Sequence, residues 1–239
     1  MPAPPPPGRA AVVDAVRGAA ILAMIAYHAA WFATEEGFAQ IDFGAAGWRA
    51  YQRTVAGTFF LLVGVSVRLA GENQVRFSHF AFRSARIAGC AAVVSVTSLV
   101  LDPGRFVTFG VLHCIFVSSM LAWPLRRAGF SALPLALGWL VLAGLPGDPR
   151  FDTPLLRWTG LGSAGVPTFD FQPFVPWFGL VLLGVVAATV MPATLWTWRA
   201  KHSDPLGWLG RRSLFLYMAH VPVLMGLSKS IRWCLLQSF

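Results

Sequence analysis

Four side chains in this sequence are suited to moving protons: His28, Asp42, His113 and Asp170. An imidazole can take a proton from an attacking hydroxyl or amine near neutral pH, and a carboxylate can orient that imidazole. His28 lies near the end of the apolar run 14–31, where ionisable groups usually face a protein interior or a wet cavity. Each residue also has a plainer interpretation: hydrogen bonding between helices for His28, packing for His113, and a solvated loop for Asp42.

A second group of candidates is cationic and suited to an anionic ligand: Arg17, Arg68, Arg83 and Arg86. Arg17 precedes His28 by eleven residues, which places the two about 17 Å apart along a helix and on nearly the same face. Two alternatives stay open for Arg17: an ion pair with Asp14 one turn earlier, or contact with phosphate headgroups. Arg83 and Arg86 are also explained as signals that set the orientation of a membrane helix.

Two apolar segments carry further polar or small residues. His220, within SLFLYMAHVP, shares a helical face with Ser213 and Tyr217, which fits a structural hydrogen-bond network as well as a site role. Gly64 and Ser66, within GTFFLLVGVSV, are small enough to let two helices approach closely.

The composition indicates the kind of structure that positions these groups. Hydrophobic residues make up 56% of the 239 residues and charged residues 12%, about half the usual charged fraction of a soluble domain. Continuous apolar runs that approach or exceed ~20 residues recur along the chain, and they lack the alternation of a β-barrel. The fold class is therefore predicted to be all-α, a polytopic membrane helix bundle, with the lipid bilayer as its surroundings.

Several other classes of protein are disfavoured by the same sequence. The net charge of +9 comes from short basic clusters between apolar runs, which indicates topology signals and headgroup anchors rather than nucleic-acid binding. Three cysteines, two of them within apolar runs, do not form a disulfide framework. Closely spaced histidine or cysteine pairs are absent, so no metal is predicted, and serine nucleophile elbows and glycine-rich nucleotide loops are absent too.

About seven transmembrane spans are predicted, at residues 11–33, 51–70, 85–101, 107–125, 131–145, 174–191 and 209–227. Basic residues are more numerous in the loops that would be cytoplasmic if the N-terminus is inside, so the N-terminus is placed in the cytoplasm. Residues 1–8 are predicted to be a disordered proline-rich tail, 9–239 a single domain, and 71–82 a polar connection. In this topology the four proton-transfer candidates lie toward the outer face and the arginines toward the inner face.

The ordered motifs resemble those of bacterial membrane proteins grouped with the heparan-alpha-glucosaminide N-acetyltransferase catalytic domain. The resemblance covers nearly the whole chain through VVDAVRGAAILAMIAYH, AGTFFLLVGVSVRLA, RSARIAG, VTFGVLHCIFVSSML, FDFQPFVPWFGLVLLG and LGRRSLFLYMAHVPVL. It implies a transmembrane acyltransferase of the bacterial cytoplasmic (inner) membrane, which takes an acyl group from acetyl-CoA or another acyl-CoA on the cytoplasmic side. The acceptor would be a hydroxyl or amine of a glycan or lipid at the outer face.

Roles for the candidates follow from this resemblance. His28 matches the polar residue at the acyl-transfer centre and would act as general base or as a transient acyl carrier. Arg17, Arg83 and Arg86 would hold the CoA phosphates, the pantetheine arm would pass Gly64 and Ser66, and His220 is grouped with this cofactor-binding set.

The remaining candidates would assist His28. Asp42 or Asp170 would orient its imidazole, and His113 would share the proton transfer. Relatives carry a second polar residue about eleven positions after the histidine, where this chain has Ala39 and then Asp42 three residues later. Two other functions stay open, a membrane carrier or flippase and a non-catalytic scaffold, and an oligomer is possible.

Overall fold

The structure, a computed structural model, describes residues 10–191 and 205–237. All regular secondary structure in these ranges is helical, which confirms the all-α prediction. The helices are α1 (Ala11–Glu35), α2 (Ala46–Glu72), α3 (Phe77–Leu101), α4 (Val111–Ala122), α5 (Leu133–Leu142), α6 (Phe174–Val190), α7 (Pro205–Arg211) and α8 (Ser213–Gln237). The predicted disordered tail, 1–8, lies outside the described residues.

Four of these helices, α1, α2, α3 and α8, are long and apolar enough to cross a membrane. They contain 25 to 27 residues, and at ~1.5 Å per residue each exceeds the ~30 Å thickness of a hydrocarbon core. The segments predicted as the fourth, fifth and sixth spans also form apolar helices, α4, α5 and α6, of 12, 10 and 17 residues. Length and composition therefore identify an integral membrane protein, and the count of seven spans and the orientation stay predictions.

The shortness of α4 has a local cause. Residues 102–110 are not helical, and Pro124 follows the C-cap Trp123. Val107, predicted to begin the span, donates its backbone N–H to the hydroxyl of Ser98 at 2.9 Å instead of entering the helix. Pro124 lacks the amide hydrogen that the next bond within the helix would need, so the helix ends near Trp123.

The predicted polar connection over 71–82 is wrong in its extent. Helix α2 continues to Glu72 and α3 already begins at Phe77, so four residues join them. Phe80 stacks on Trp123 with ring centroids 4.1 Å apart, and Phe77 lies 5.8 Å from the same indole. This aromatic packing stabilises a first turn of α3 that the polar residues of the segment did not indicate.

The chain divides into two compact units, and helix α2 contributes to both. Unit 1 comprises Met1–Phe59 and Pro192–Phe239, and unit 2 comprises Phe60–Met191. In unit 1, α1 packs on α7 and α8; in unit 2, α5 and α4 pack on α6, and α3 packs on α4. The predicted single domain, 9–239, stays a prediction.

A close helix crossing is built from glycines in unit 1. A Cβ atom on Gly18 of α1 would overlap the carbonyl oxygen of Leu206 in α7, and one on Gly210 would overlap the carbonyl oxygen of Asp14. Each glycine thus lies directly against the backbone of the other helix. Small residues at helix crossings permit this approach in membrane proteins, where van der Waals packing drives association.

Unit 2 contains a crossing of the same kind. Gly64 of α2 lies against the carbonyl oxygen of Val181 in α6, and Gly184 lies against the carbonyl oxygen of Leu61. Around the crossing, Phe60 stacks on Trp177 at 5.0 Å, and Val181 and Leu182 are fully buried. The close approach predicted for Gly64 is therefore observed.

Candidate functional site

His28 of α1 and His220 of α8 lie together in unit 1. Their ring centroids are 4.7 Å apart, and the planes meet edge to face at 76°. His28 is half-buried, and His220 is 7% exposed. The sequence marked both residues, His28 as catalytic and His220 as part of the cofactor-binding set, without predicting that they meet. We call them the histidine pair.

Both rings of the histidine pair are anchored through the same nitrogen. His28 Nδ1 lies 2.9 Å from the carbonyl oxygen of Met24, and His220 Nδ1 lies 2.6 Å from that of Tyr217. A carbonyl oxygen accepts hydrogen bonds and cannot donate, so each Nδ1 carries the proton. In a neutral imidazole the lone pair is then on Nε2, which can accept a proton or attack a carbonyl carbon. His220 Nε2 is buried with no hydrogen-bond partner among the described residues.

An aromatic cluster adjoins the histidine pair within unit 1. Tyr27 meets His28 edge to face at 5.5 Å and stacks on Tyr51 at 6.1 Å. Phe43 and Trp48 contact Tyr27 at 5.3 and 5.9 Å. The connection between α1 and α2 therefore folds back toward His28 through its aromatic side chains.

Asp42, the carboxylate predicted to orient His28, is exposed in this connection. Its Oδ1 accepts a hydrogen bond from the backbone N–H of Gly44 at 2.8 Å, the geometry of a turn stabilised by an aspartate. Its neighbour Phe43, rather than its carboxylate, contacts the residue next to His28. The catalytic role assigned to Asp42 stays a prediction.

His113 lies in unit 2 in a cluster of a different kind, which we call the serine–histidine cluster: Ser95, Ser98 and His113. His113 Nδ1 accepts the backbone N–H of Gly110 at 3.2 Å, and its Nε2 lies 3.2 Å from Ser95 Oγ. Ser95 donates its own proton to the carbonyl oxygen of Val107 at 2.6 Å, so Oγ accepts from His113 Nε2–H. This imidazole joins the end of α3 to the start of α4.

Asp170 belongs to the same end of unit 2. Its Oδ2 accepts the backbone N–H of Val111 at 2.8 Å, at the first turn of α4. Backbone N–H groups at a helix start lack intrahelical partners, and a carboxylate there is also favoured by the helix dipole. Thr168 strengthens the connection by donating to the carbonyl oxygen of Phe106 at 2.8 Å. These contacts account for Asp170 structurally, and its proposed action on His28 is untested.

The predicted phosphate-binding arginines have separate surroundings. Arg17 Nη1 forms an ion pair with Asp14 Oδ1 at 2.8 Å in unit 1, one of the two alternatives that the sequence left open. Asp14 is 3% exposed, so this pair is removed from water. Arg83 and Arg86 are exposed and one turn apart on α3 in unit 2. Ser66 Oγ, also in unit 2, donates to the carbonyl oxygen of Leu62 at 2.7 Å within its own helix.

Two features of these sites were not found from the sequence. Ser95 was missed because a single serine in an apolar helix does not indicate a site. A search for hydrogen-bonding partners of His113 in the preceding predicted span could have found it. Arg157 and Trp158 lie between the predicted fifth and sixth spans and were assigned no role, and they line a cavity in unit 2. Within residues 10–191 and 205–237, no three His, Cys, Asp or Glu side chains converge as metal ligands.

Comparison with known proteins gives one result of consequence. The family model described as "Heparan-alpha-glucosaminide N-acetyltransferase, catalytic" matches residues 9–222. No curated protein and no solved structure gives a significant match to the chain. The matched range contains both members of the histidine pair and most of the chain, and it confirms the resemblance drawn from the ordered motifs. The chain therefore belongs to the family of heparan-alpha-glucosaminide N-acetyltransferase catalytic domains, and its function is that of a membrane acetyltransferase-like protein.

Proposed function

We propose that this protein moves an acetyl group from cytoplasmic acetyl-CoA, or a similar acyl-CoA, to a hydroxyl or amine of a glycan or lipid at the outer membrane face. The observation that carries this proposal is the histidine pair, in which Nδ1 of each ring donates to a backbone carbonyl oxygen. That anchoring leaves Nε2 of His28 as the basic nitrogen and fixes the ring against rotation. An oriented imidazole of this kind is the usual general base of acyl transfer.

In the first form of the reaction, His28 Nε2 removes the proton from the acceptor hydroxyl or amine. The acceptor oxygen or nitrogen then forms a bond to the thioester carbonyl carbon, whose π electrons move onto oxygen. When the carbonyl re-forms, the C–S bond breaks and CoA leaves as a thiolate, which takes the proton from His28. The products are free CoA and an acetyl ester or amide, with the imidazole restored.

In the second form, His28 Nε2 itself attacks the thioester carbonyl carbon, the C–S bond breaks and CoA leaves as a thiolate. The ring carries the acetyl group until the acceptor oxygen or nitrogen bonds to its carbonyl carbon; the C–N bond to Nε2 then breaks, and the acceptor's proton goes to the thiolate. The hydrogen bond from Nδ1 to the Met24 carbonyl oxygen would stabilise the positive charge of the acetylated ring. His220, whose ring edge lies against His28, would position this ring in both forms. Quenching the enzyme with acid after mixing it with acetyl-CoA alone separates the two, because only the second leaves label on His28.

The donor would enter from the cytoplasm in a seven-span topology with the N-terminus inside. Arg83 and Arg86 are exposed arginines one turn apart on α3 and suit the CoA phosphates. Arg17 is the other candidate for phosphate binding, and there a phosphate would have to displace the Asp14 carboxylate. Asp42, His113 and Asp170 would act indirectly, by holding the loops and helix ends described above.

The test is release of CoA thiol from radiolabelled acetyl-CoA by purified protein in lipid nanodiscs, with glycan and lipid extracts as acceptors. General-base assistance contributes about 10²–10⁴-fold, so His28→Ala is expected to lose about that much turnover. His79→Ala is the matched control, because His79 is an exposed histidine on α3 with no assigned role. Wild-type turnover in His28→Ala would reject the proposal.

The same preparation distinguishes the alternatives. Uptake of a glycan or lipid into liposomes without any acetylated product would identify a carrier or flippase. Saturable binding of acetyl-CoA that weakens in Arg17→Ala, with no thiol release at any acceptor concentration, would identify a non-catalytic scaffold. Mass spectrometry of lipid and glycan extracts from cells with and without the protein would name the acceptor.

A further inference from the structure

A cavity of about 240 Å³ lies in unit 2, between the segment that precedes α4 and the connection from α5 to α6. It is lined by Thr108, Phe109, Val117, Pro154, Arg157 and Trp158. Its volume equals that of about eight liquid water molecules and falls just below the range usual for drug-sized ligands. Neither member of the histidine pair is among its lining residues, and nothing in the proposed acyl transfer uses the residues that are.

The connection that forms one wall of the cavity is held in place by its own hydrogen bonds. Asp152 accepts the backbone N–H of Ala164 at 3.0 Å and the hydroxyl of Ser163 at 2.8 Å. Arg157 Nη2 donates to the carbonyl oxygen of Asp152 at 2.8 Å. Two short 3-10 turns, Pro149–Phe151 and Arg157–Thr159, set the backbone on either side. The wall is therefore a built structure that fixes the position of the guanidinium.

Trp158, next to Arg157, is also held in place by contacts within unit 2. Its indole Nε1 donates to the carbonyl oxygen of Leu155 at 2.8 Å, so its polar atom is used within the connection. Its ring lies 5.4 Å from Phe109 and 5.7 Å from Phe174, centroid to centroid. With Val117 on α4, these rings give the cavity a rigid apolar lining that suits a flat apolar group.

One N–H of the Arg157 guanidinium has no acceptor in the part of the chain that the structure describes. It is the N–H at Nε, which is buried. Asp152 interacts electrostatically with Arg157, but the hydrogen bonds that its carboxylate accepts come from Ser163 and Ala164, and none comes from Arg157 Nε. A buried charged N–H without an acceptor is costly, and native structures usually satisfy such a group with water, an ion or a ligand.

We propose that this cavity binds a small organic anion, with a carboxylate or phosphate group on Arg157 and a flat apolar body against Trp158, Phe109 and Val117. The guanidinium is planar and matches both anionic groups in geometry. Thr108, exposed at the rim, offers a hydroxyl to the same oxygens. The volume suits a single ring with its anionic group and is too small for the two chains of a phospholipid.

The experiment measures binding of phenyl phosphate to the full-length protein in neutral-lipid nanodiscs by isothermal titration calorimetry. Wild type is expected to bind phenyl phosphate saturably and to bind phenol, the matched ligand without the anion, at least about tenfold more weakly. Arg157→Gln should weaken phenyl phosphate binding by about tenfold or more. Arg150→Gln is the matched control, since Arg150 is an exposed arginine of the same connection, and it should leave the affinity unchanged.

Thr108→Trp provides an independent test, because it fills the cavity from its exposed rim and should abolish binding even if Arg157→Gln fails to fold. Lack of saturable binding by wild type, equal binding of phenol, or equal losses in Arg157→Gln and Arg150→Gln would each overturn the proposal. Since the readout is equilibrium binding without acetyl-CoA, a negative result leaves the proposed acyl transfer untouched.

Discussion

The histidine pair of unit 1 and the serine–histidine cluster of unit 2 hold their imidazoles by opposite hydrogen-bond patterns. In the pair, Nδ1 of His28 donates to a carbonyl oxygen that already belongs to its own helix. In the cluster, Nδ1 of His113 accepts the N–H of Gly110, and Nε2 donates to Ser95. One arrangement makes Nε2 the basic nitrogen of the ring, whereas the other uses both nitrogens to join protein segments.

The difference shows that a histidine in an apolar helix is classified by what its Nδ1 contacts. A carbonyl acceptor at Nδ1 forces the proton there and makes Nε2 basic. A backbone N–H at Nδ1 forces the reverse and turns Nε2 into a donor. The sequence placed His28 and His113 together as proton-transfer candidates, and their backbone partners give the two neutral rings opposite tautomers.

The largest expected effect is on turnover. His28→Ala is expected to lower the rate of acetyl transfer by about 10²–10⁴-fold, whereas His113→Ala should leave turnover per folded molecule nearly unchanged. Initial rates of CoA release, normalised to the folded fraction from size-exclusion chromatography, would measure both. An equal loss of turnover in the two variants would show that His113 takes part in the reaction as His28 does.

The next effect is on stability and runs in the opposite direction. His113→Ala leaves the buried N–H of Gly110 without its acceptor and should cost about 1–3 kcal/mol. His113→Asn retains a side-chain oxygen as acceptor and should recover part of this loss. Thermal unfolding in detergent would measure the series.

His28→Ala is the control for that series, since the carbonyl oxygen of Met24 remains within α1 and a smaller loss is expected. A larger destabilisation in His28→Ala than in His113→Ala would contradict the structural role given to the serine–histidine cluster.

A smaller stability effect is expected at the two predicted carboxylates. Asp170→Ala removes the acceptor at the start of α4 and should cost about 0.5–2 kcal/mol, the usual range for loss of a helix cap. Asp170→Asn keeps an oxygen acceptor and should cost less. Asp42→Ala, in the exposed turn of unit 1, should stay within about 0.5 kcal/mol of wild type. Denaturation of the three variants in one detergent would show whether the loss of stability is confined to the carboxylate of unit 2.

The smallest expected effect is a loss of local stability at low pH. The hydrogen bond from Arg105 holds the pKa of Asp102 below its ordinary value, and the backbone N–H of Ala164, with the Ser163 hydroxyl, does the same for the pKa of Asp152. A carboxyl with a lowered folded-state pKa contributes stability above its unfolded pKa, and that contribution is lost as the pH falls through the folded value. Both connections in unit 2 should therefore loosen below about pH 4.

Pepsin cleavage between pH 4.5 and 2.5 would measure this loosening, with cleavage in 36–45 of unit 1 as internal reference. In wild type, cleavage within 147–164 relative to the reference should rise as the pH falls from 4.5 to 2.5. In Asp152→Asn the same ratio should already be high at pH 4.5 and stay nearly constant. A rise of the same size in both proteins would show that Asp152 is not the titrating group.

The helical class and the position of His28 were predictable because both are local. An apolar run determines α1, predicted at 11–33 and observed as Ala11–Glu35, and residue spacing then places His28 near its end. The meeting of His28 with His220 was not predictable, because local periodicity carries no information about which distant helices touch. The early start of α3 was missed for a related reason, since the stacking of Phe80 on Trp123 joins separate segments.

For ion pairs and buried donors too, only contacts between residues close in sequence could be predicted. The Arg17–Asp14 pair could be listed as an alternative because its partners are one turn apart. The buried Nε of Arg157 could not, since it depends on how a long connection folds over the start of α4. Sequence patterns thus predict the elements well, and they predict a site only where its members share one element.

The reciprocal glycine crossings have a consequence for how this protein tolerates substitution. At Gly18, Gly210, Gly64 and Gly184, even a methyl group would occupy the place of a carbonyl oxygen on the neighbouring helix. In a saturation-mutagenesis screen these positions should therefore reject every substitution, as reactive residues do. Intolerance at a glycine of this protein thus reports the distance between two backbones, and an assay of folded yield is needed before it is taken as a sign of catalysis.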